Sequence, residues 1–201
     1  NFIITEPDIL ILDYLETNTV CFGTSNGSID VSTFGGTTPF SFIWSNGETS
    51  EDLSNIPAGF YYLTVTDTLF CVNSISVEIM QNQQIDANFN ISVYNGYEIS
   101  CFNDSNGYIN ISNIINGEGP ISLLWSNDST TQNIIDLTAG TYVVTITDSL
   151  NCSEQFEILL NQPSELNVSI TDIVNVSCYG NHDASISINV SGGLPQYQFQ
   201  W

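Results

Sequence analysis

The chain has 201 residues, of which 22 are Asp or Glu, none is Lys or Arg and one is His, so its formal net charge is −22 at pH 7. With no basic fork to hold phosphate, the composition argues against nucleic acid, nucleotides and anionic membranes as partners. Hydrophobic residues at 42% and aromatics at 11%, in short alternating runs, set the chain apart from a disordered acidic tail. No apolar run approaches the roughly 18 residues that cross a bilayer, so membrane insertion is not expected.

Taken in chain order, residues 1–7 read as the tail of one unit and residues 8–84 as a complete one. Ile29 and Val31 alternate with polar neighbours until Gly35-Gly36 ends the run. Phe40, Phe42 and Trp44 then share one face of a strand, and Ser45-Asn46-Gly47 turns the chain, because Asn-Gly accepts the positive φ of a tight hairpin. A short strand near residues 53–56 and a Pro57-Ala58-Gly59 corner follow. Tyr61, Leu63 and Val65 alternate next, Asp67 opens a turn, and a last strand lies near residues 75–79.

Residues 85–163 repeat this pattern. The stretch CFGTSNGSI at 21–29 returns as CFNDSNGYI at 101–109 and more loosely as CYGNHDASI at 178–186. Trp44, Trp125 and Trp201 follow those cysteines at offsets of 23, 24 and 23 residues. In the second unit the same faces carry Ile109 and Ile111, then Ile121, Leu123 and Trp125, then Leu137, then Tyr142, Val144 and Ile146. Residues 164–201 form the first part of a third unit. A period of about 78 residues marks an array of small domains, each large enough for its own core.

Period-2 alternation bounded by Gly, Pro, Asn and Asp, without a helical period, predicts an all-β fold. About seven short strands per unit with a Trp on a middle strand predict tandem immunoglobulin-like β-sandwich repeats. The Tyr after each Ala-Gly corner fits the tyrosine-corner position of such sandwiches. The junctions at residues 4–7, 81–84 and 160–163 are short and lack a flexible Gly/Ser linker, which predicts an extended, stiff rod.

Five cysteines recur in two positions. Cys21, Cys101 and Cys178 open the units, and Cys71 and Cys152 follow 50 and 51 residues after the first two. This reads as one disulfide per unit, Cys21 with Cys71 and Cys101 with Cys152, in an oxidising compartment, with the partner of Cys178 outside the chain. In a sandwich whose first and last strands start at the same pole, the two members of a pair could reach the ~4.4–6.8 Å Cα separation required. A bond of Cys71 to Cys101 between units is the rival, and zinc competes weakly because no CxxC or neighbouring His supports it.

The combination of C-(F/Y)-x-x-x-(N/D)-(G/A)-x-I, G-G-x-x-P-(F/Y)-x-(F/Y)-x-W-S-N-G and A-G-x-Y-x-(V/L)-T-(V/I)-T-D-x-x-x-C resembles the SprB repeat. That repeat occurs in gliding-motility adhesins and related surface proteins of Bacteroidota. The likeness extends over both complete units and the partial copy ending at Trp201. Asn116 and Asp128 stand where the pattern has Gly, and Pro195 comes one place early, so local turn geometry is open at those points. The resemblance implies a secreted, cell-surface or outer-membrane-attached filament exported by the type IX route. It further implies a gliding or secretion machinery as partner, self-association into filaments, and a grip on polysaccharide or solid surfaces through regions outside this segment.

Thr68 and Ser149, in Asp67-Thr68-Leu69 and Asp148-Ser149-Leu150, and Ser129 in Asp128-Ser129-Thr130, are similar to the Asp-(Ser/Thr)-apolar O-glycan sites of that phylum. The competing reading is turn chemistry, in which Asp caps the backbone beyond it. Asn103, Asp104 and Asn106 suggest a calcium loop but lack its alternating carboxylates and distal Glu. His182 has no repeated partner and no nucleophile–base pair recurs, so no catalytic, cofactor or metal residues are expected. The functional expectation is a structural extender in surface adhesion and gliding. Two alternatives stand beside it: repeats that themselves bind glycans multivalently, signalled by an exposed aromatic row on every unit, and a stalk of a secreted hydrolase.

Overall fold

A computed structural model describes residues 6–201 and is all-β. Residues 1–5, most of the segment read as the tail of an earlier unit, lie outside the described residues. Six strands make the first repeat: β1 (Ile11–Thr17), β2 (Gly27–Phe34), β3 (Ser41–Trp44), β4 (Leu53–Ile56), β5 (Gly59–Thr66) and β6 (Val72–Ile79). They form two antiparallel three-stranded sheets, ordered β1-β2-β4 and β3-β5-β6.

Alternation decides which face is buried. On β5, Tyr61, Leu63 and Val65 point into the core while Phe60 and Tyr62 face out. Ile29 and Val31 of β2, Trp44 of β3, Leu53 and Ile56 of β4, and Val77 and Ile79 of β6 complete that core, and Phe40 and Phe42 pack against it. Trp44, 2% exposed, donates its indole Nε1–H to the Ser50 carbonyl at 2.9 Å, so its polar edge is satisfied inside.

The second repeat uses β7 (Asp86–Ile91), β8 (Gly107–Ile115), β9 (Ser122–Trp125), β10 (Asn133–Leu137), β11 (Gly140–Thr147) and β12 (Ser153–Leu160), in the same two orders. Ile109, Ile111, Trp125, Ile134, Leu137, Val144, Ile146 and Leu160 are buried in it, and Trp125 Nε1 donates to the Thr131 carbonyl at 2.9 Å. A hairpin of β13 (Asn167–Val174) and β14 (Ser185–Ser191) follows. Two compact units divide the chain. One holds the residues up to Ile85 with Asn116–Gly119 and Ser149–Cys152, and the other holds Asp86–Ile115, Pro120–Asp148 and Ser153–Trp201. Two turns of the second repeat thus belong to the first compact unit.

Several details differ from the sequence reading. Each complete repeat has six strands, not about seven, and the opening edge strand of the first, β1, has no counterpart in the sequence reading. Only Leu12 of β1 is partly buried against the core, so that strand lacks an alternating apolar signature. The Ser45-Asn46-Gly47 turn does not close a hairpin, because β3 pairs with β5 while β4 joins the other sheet. It carries the chain between sheets, with the Gly47 N–H bonded to the Trp44 carbonyl at 3.0 Å and Gly47 at φ 90°. Asp128, at φ 63°, keeps the same left-handed geometry, as does Asn116 at φ 64° in place of Gly35. Asn and Asp tolerate that region better than other side chains. The corner tyrosines behave alike: Tyr61 donates to the Pro57 carbonyl at 2.9 Å and Tyr142 to the Thr138 carbonyl at 3.1 Å.

Candidate functional site

Opposite ends of each repeat carry the features that recur. At one end lies the β1–β2 loop with Cys21. Thr24 closes it by donating its N–H and hydroxyl to the Cys21 carbonyl, at 3.3 and 2.8 Å. The side chain of Gln81, beyond β6, accepts the Gly23 N–H at 2.8 Å, and the Thr19 N–H meets the Met80 carbonyl at 3.0 Å. In the second repeat Gln162 accepts the Asn103 N–H at 2.8 Å. Gly23 and Asn103 both adopt positive φ, 70° and 61°, to present that N–H.

At the other end is the turn over residues 67–71. Asp67 is buried and its carboxylate organises the turn: Oδ1 accepts the N–H groups of Leu69 and Cys71, both at 2.8 Å, and Oδ2 accepts the Thr37 N–H at 3.0 Å. Burial pushes the Asp67 pKa up, but these donors, with the Cys71 thiol, outweigh it and hold the carboxyl below its ordinary 3.8. Thr68 is exposed and donates its hydroxyl to the Thr37 carbonyl at 3.0 Å. Ser149 makes the equivalent bond to the Glu118 carbonyl at 2.7 Å. Both hydroxyls therefore brace a turn, and an O-glycan on either would remove the donated hydrogen. Ser129 lies in the β9–β10 turn with its hydroxyl 2.9 Å from that of Thr131.

The cysteine pairing is corrected by the structure. Cys21 is bonded to Cys152, S–S 2.03 Å and Cα–Cα 5.3 Å, across 131 residues, and Cys71, Cys101 and Cys178 are free and exposed. The premise that the first and last strands start at the same pole holds, since the Asn73 side chain donates to the Leu10 carbonyl at 2.9 Å. But the first strand is β1, which precedes Cys21. The loop after β1 lies at the far end, beside Met80 and Gln81. Eight residues of β6 separate it from Cys71, about 25 Å at ~3.3 Å per residue. Cys21 and Cys71 cannot meet. Cys152, which stands in the second repeat where Cys71 stands in the first, takes the bond, and it lies within the first compact unit.

Elsewhere the sequence candidates are engaged in local structure. Asp104 accepts the Ser100 hydroxyl at 2.7 Å, and Asn106 donates to Ser100 Oγ at 2.6 Å and accepts the Ser100 N–H at 3.2 Å. In the third unit Asp183 takes the place of Asn106. The Ser177 side chain and N–H lower its pKa. His182 is exposed. Among the described residues no cluster of His, Cys, Asp and Glu is arranged to hold a metal ion, and no helix is long and apolar enough to cross a membrane.

The SprB repeat family matches residues 17–49 and 170–201, which contain the Cys21 loop through the Trp44 turn and the third unit from β13 to Trp201. Both of these stretches match the SprB repeat. Between those matches, the second repeat has the same strand orders, buried Trp and corner Tyr. A comparison with curated proteins finds no match.

Among solved structures, the chain is similar to a C-terminal fragment of intimin in complex with the intimin-binding domain of its translocated receptor, at 11% identity and TM-score 0.36. The match covers 78% of this chain and 65% of that one. An I-band fragment of titin matches at 10% identity and TM-score 0.36 over 96% of this chain and 78% of that one. Domains 4–9 of the surface-layer protein SbsC match at 12% identity and TM-score 0.25, covering 94% and 36%. Superpositions this loose add nothing to the strand topology.

Proposed function

We propose that this SprB-repeat chain is a structural segment of a cell-surface adhesin, working as a stiff extender in surface adhesion and gliding rather than as a catalyst. The observation that carries the reading is the Cys21–Cys152 bond, which fastens one repeat's first cysteine to the next repeat's second. By chain entropy, closing a 131-residue loop stabilises the fold by about 5 kcal/mol. A bond in that position resists extension of the chain, which is what a load-bearing spacer needs. It also supports an extracellular or cell-surface setting, where disulfides persist. The charge of −22 keeps neighbouring filaments apart.

Direct glycan binding by the repeats needs an outward aromatic row on each of them. The first repeat exposes Phe60 (61%) and Tyr62 (57%) on β5, but the equivalent β11 positions are Thr141 and Val143. A row that does not recur favours the spacer. The test is to shorten the array by whole repeats while keeping its ends. The reading expects adhesion to a polysaccharide-coated surface to decline with length, while isolated repeats bind no glycan. Saturable glycan binding by this chain alone would transfer the function to the repeats.

A further inference from the structure

We propose that the Cys21–Cys152 bond is one rung of a head-to-tail series. Wherever the array completes the third repeat through its sixth strand, Cys101 bonds to the cysteine that precedes that strand. Wherever a repeat precedes this chain, Cys71 likewise bonds to the cysteine of that repeat that stands where Cys21 does. This scheme holds whether or not the array serves adhesion.

Three observations carry it. First, the chain shows two kinds of cysteine by position, and the one bond joins a loop cysteine, Cys21, to the turn cysteine of the following repeat, Cys152. Of the free cysteines, Cys101 and Cys178 are of the loop kind and Cys71 is of the turn kind.

Second, the Cys101 side of the joint is already built. Gln162 holds the Asn103 N–H at 2.8 Å as Gln81 holds that of Gly23 at 2.8 Å, so the loop that presents Cys101 is clamped like the one that presents Cys21. Cys101 also borders an open cleft of about 370 Å³ with Pro163, Leu166, Gly193 and Leu194. By sequence equivalence Gly193 and Leu194 match Gly117 and Glu118. Those two lie in the Asn116–Gly119 turn, which shares the first compact unit with Ser149–Cys152. By the same equivalence, this cleft is where the scheme seats the third repeat's counterpart of residues 149–152.

Third, among the described residues the turn cysteine of the first repeat, Cys71, also borders a cleft. That cleft, of about 410 Å³ with Glu6, Pro7, Asp8 and Leu10, is the position the scheme assigns to the Cys21-type loop of an earlier repeat.

The chemistry is dithiol oxidation by the disulfide of a thiol–disulfide oxidase. The Cys101 thiolate attacks one oxidase sulfur, forming a mixed disulfide and releasing the other oxidase sulfur as a thiolate. The turn cysteine's thiolate then attacks Cys101 Sγ, forming the Cys101 bond and expelling the second oxidase sulfur. Two protein thiols are oxidised, the oxidase disulfide becomes two thiols, and the two protons pass to them.

The test is disulfide mapping on two samples alkylated before any reduction: this 201-residue chain, and the natural array continued through the rest of the third repeat. Trypsin finds no site, since Lys and Arg are absent. Cleavage after Glu places Cys21, Cys71, Cys101 and Cys152 in separate peptides, 17–48, 52–78, 99–118 and 119–154. Linked peptides 17–48 and 119–154 certify the fold in each sample. The expected result is peptide 99–118 alkylated in the short chain, and in the longer array joined to the third repeat's turn cysteine and more than 90% protected. In the longer array, Cys101→Ser should make that turn cysteine alkylatable. Alkylated Cys101 in a longer array that keeps its Cys21–Cys152 link overturns the proposal, and so does a Cys71–Cys101 link in either sample.

Discussion

Gly27 sits beneath Ile79 with no room for a side chain: a Cβ there would lie 2.8 Å from Ile79 Cγ2 and 3.0 Å from the Ile56 carbonyl oxygen. Ile79 is fully buried, so it has nowhere to move. Gly107 repeats the constraint against Ile99 Cδ1 at 2.5 Å and the Leu137 carbonyl at 3.0 Å. Gly27 and Gly107 are thus fixed by packing, where β2 and β8 enter the core. Gly27→Ala is expected to destabilise by about 1–3 kcal/mol, as overpacking does. At about 4–8 °C per kcal/mol for a small domain, a calorimetric melt within 1 °C of the parent would contradict this.

Tyr61→Phe removes the hydroxyl that donates to the Pro57 carbonyl and leaves that oxygen without its partner, at a cost of about 1–3 kcal/mol. Burial raises the Tyr61 pKa above its ordinary 10.0. Because the folded value lies above the unfolded one, the associated stability is fully present below pH 10 and is lost as the pH rises through the folded value. Denaturant titrations should therefore show the parent and the Phe variant converging in strong alkali. A constant gap across that limb would contradict the assignment.

Asp67 gives the opposite limb. Its folded pKa lies below 3.8, so its contribution is fully present above the unfolded value and is lost as the pH falls through the folded value. Asp67→Asn keeps one acceptor but turns an NH₂ toward backbone donors. The variant should be less stable at neutral pH, and the difference should shrink below about pH 4. Equal stability at pH 7 would mean that the carboxylate does not organise the turn.

The strands with one clear apolar face were legible: Ile29 and Val31, Tyr61 with Leu63 and Val65, and their second-repeat counterparts all pack inward. So were the positions of the turns, because Gly47 needs a backbone that few residues accept. The edge strand β1 was not legible, since Ile11–Thr17 shows the core little beyond Leu12 and its sequence lacks alternation, whereas β7 alternates Ala87, Phe89 and Ile91 with polar residues. That single omission misdirected the cysteines. Their recurrence is written in the sequence, but which pole each occupies depends on how many strands come before it. With β1 in place, Cys21 moves to the end opposite Cys71 and faces the turn of the next repeat. The sequence shows Thr68 and Ser149 as hydroxyls beside a turn Asp, while the carbonyls they bond depend on the register between sheets.

Pulling the chain from its two ends, with and without reductant, tests the bond between repeats most directly. With Cys21 joined to Cys152, the 131 residues between them cannot extend, so full unfolding should fall short of the reduced chain by roughly 450 Å at ~3.4 Å per residue, in a single hidden loop. Equal contour lengths in both conditions would contradict the account, as would two separate hidden loops of roughly 170 Å each, the signature of bonds confined within single repeats.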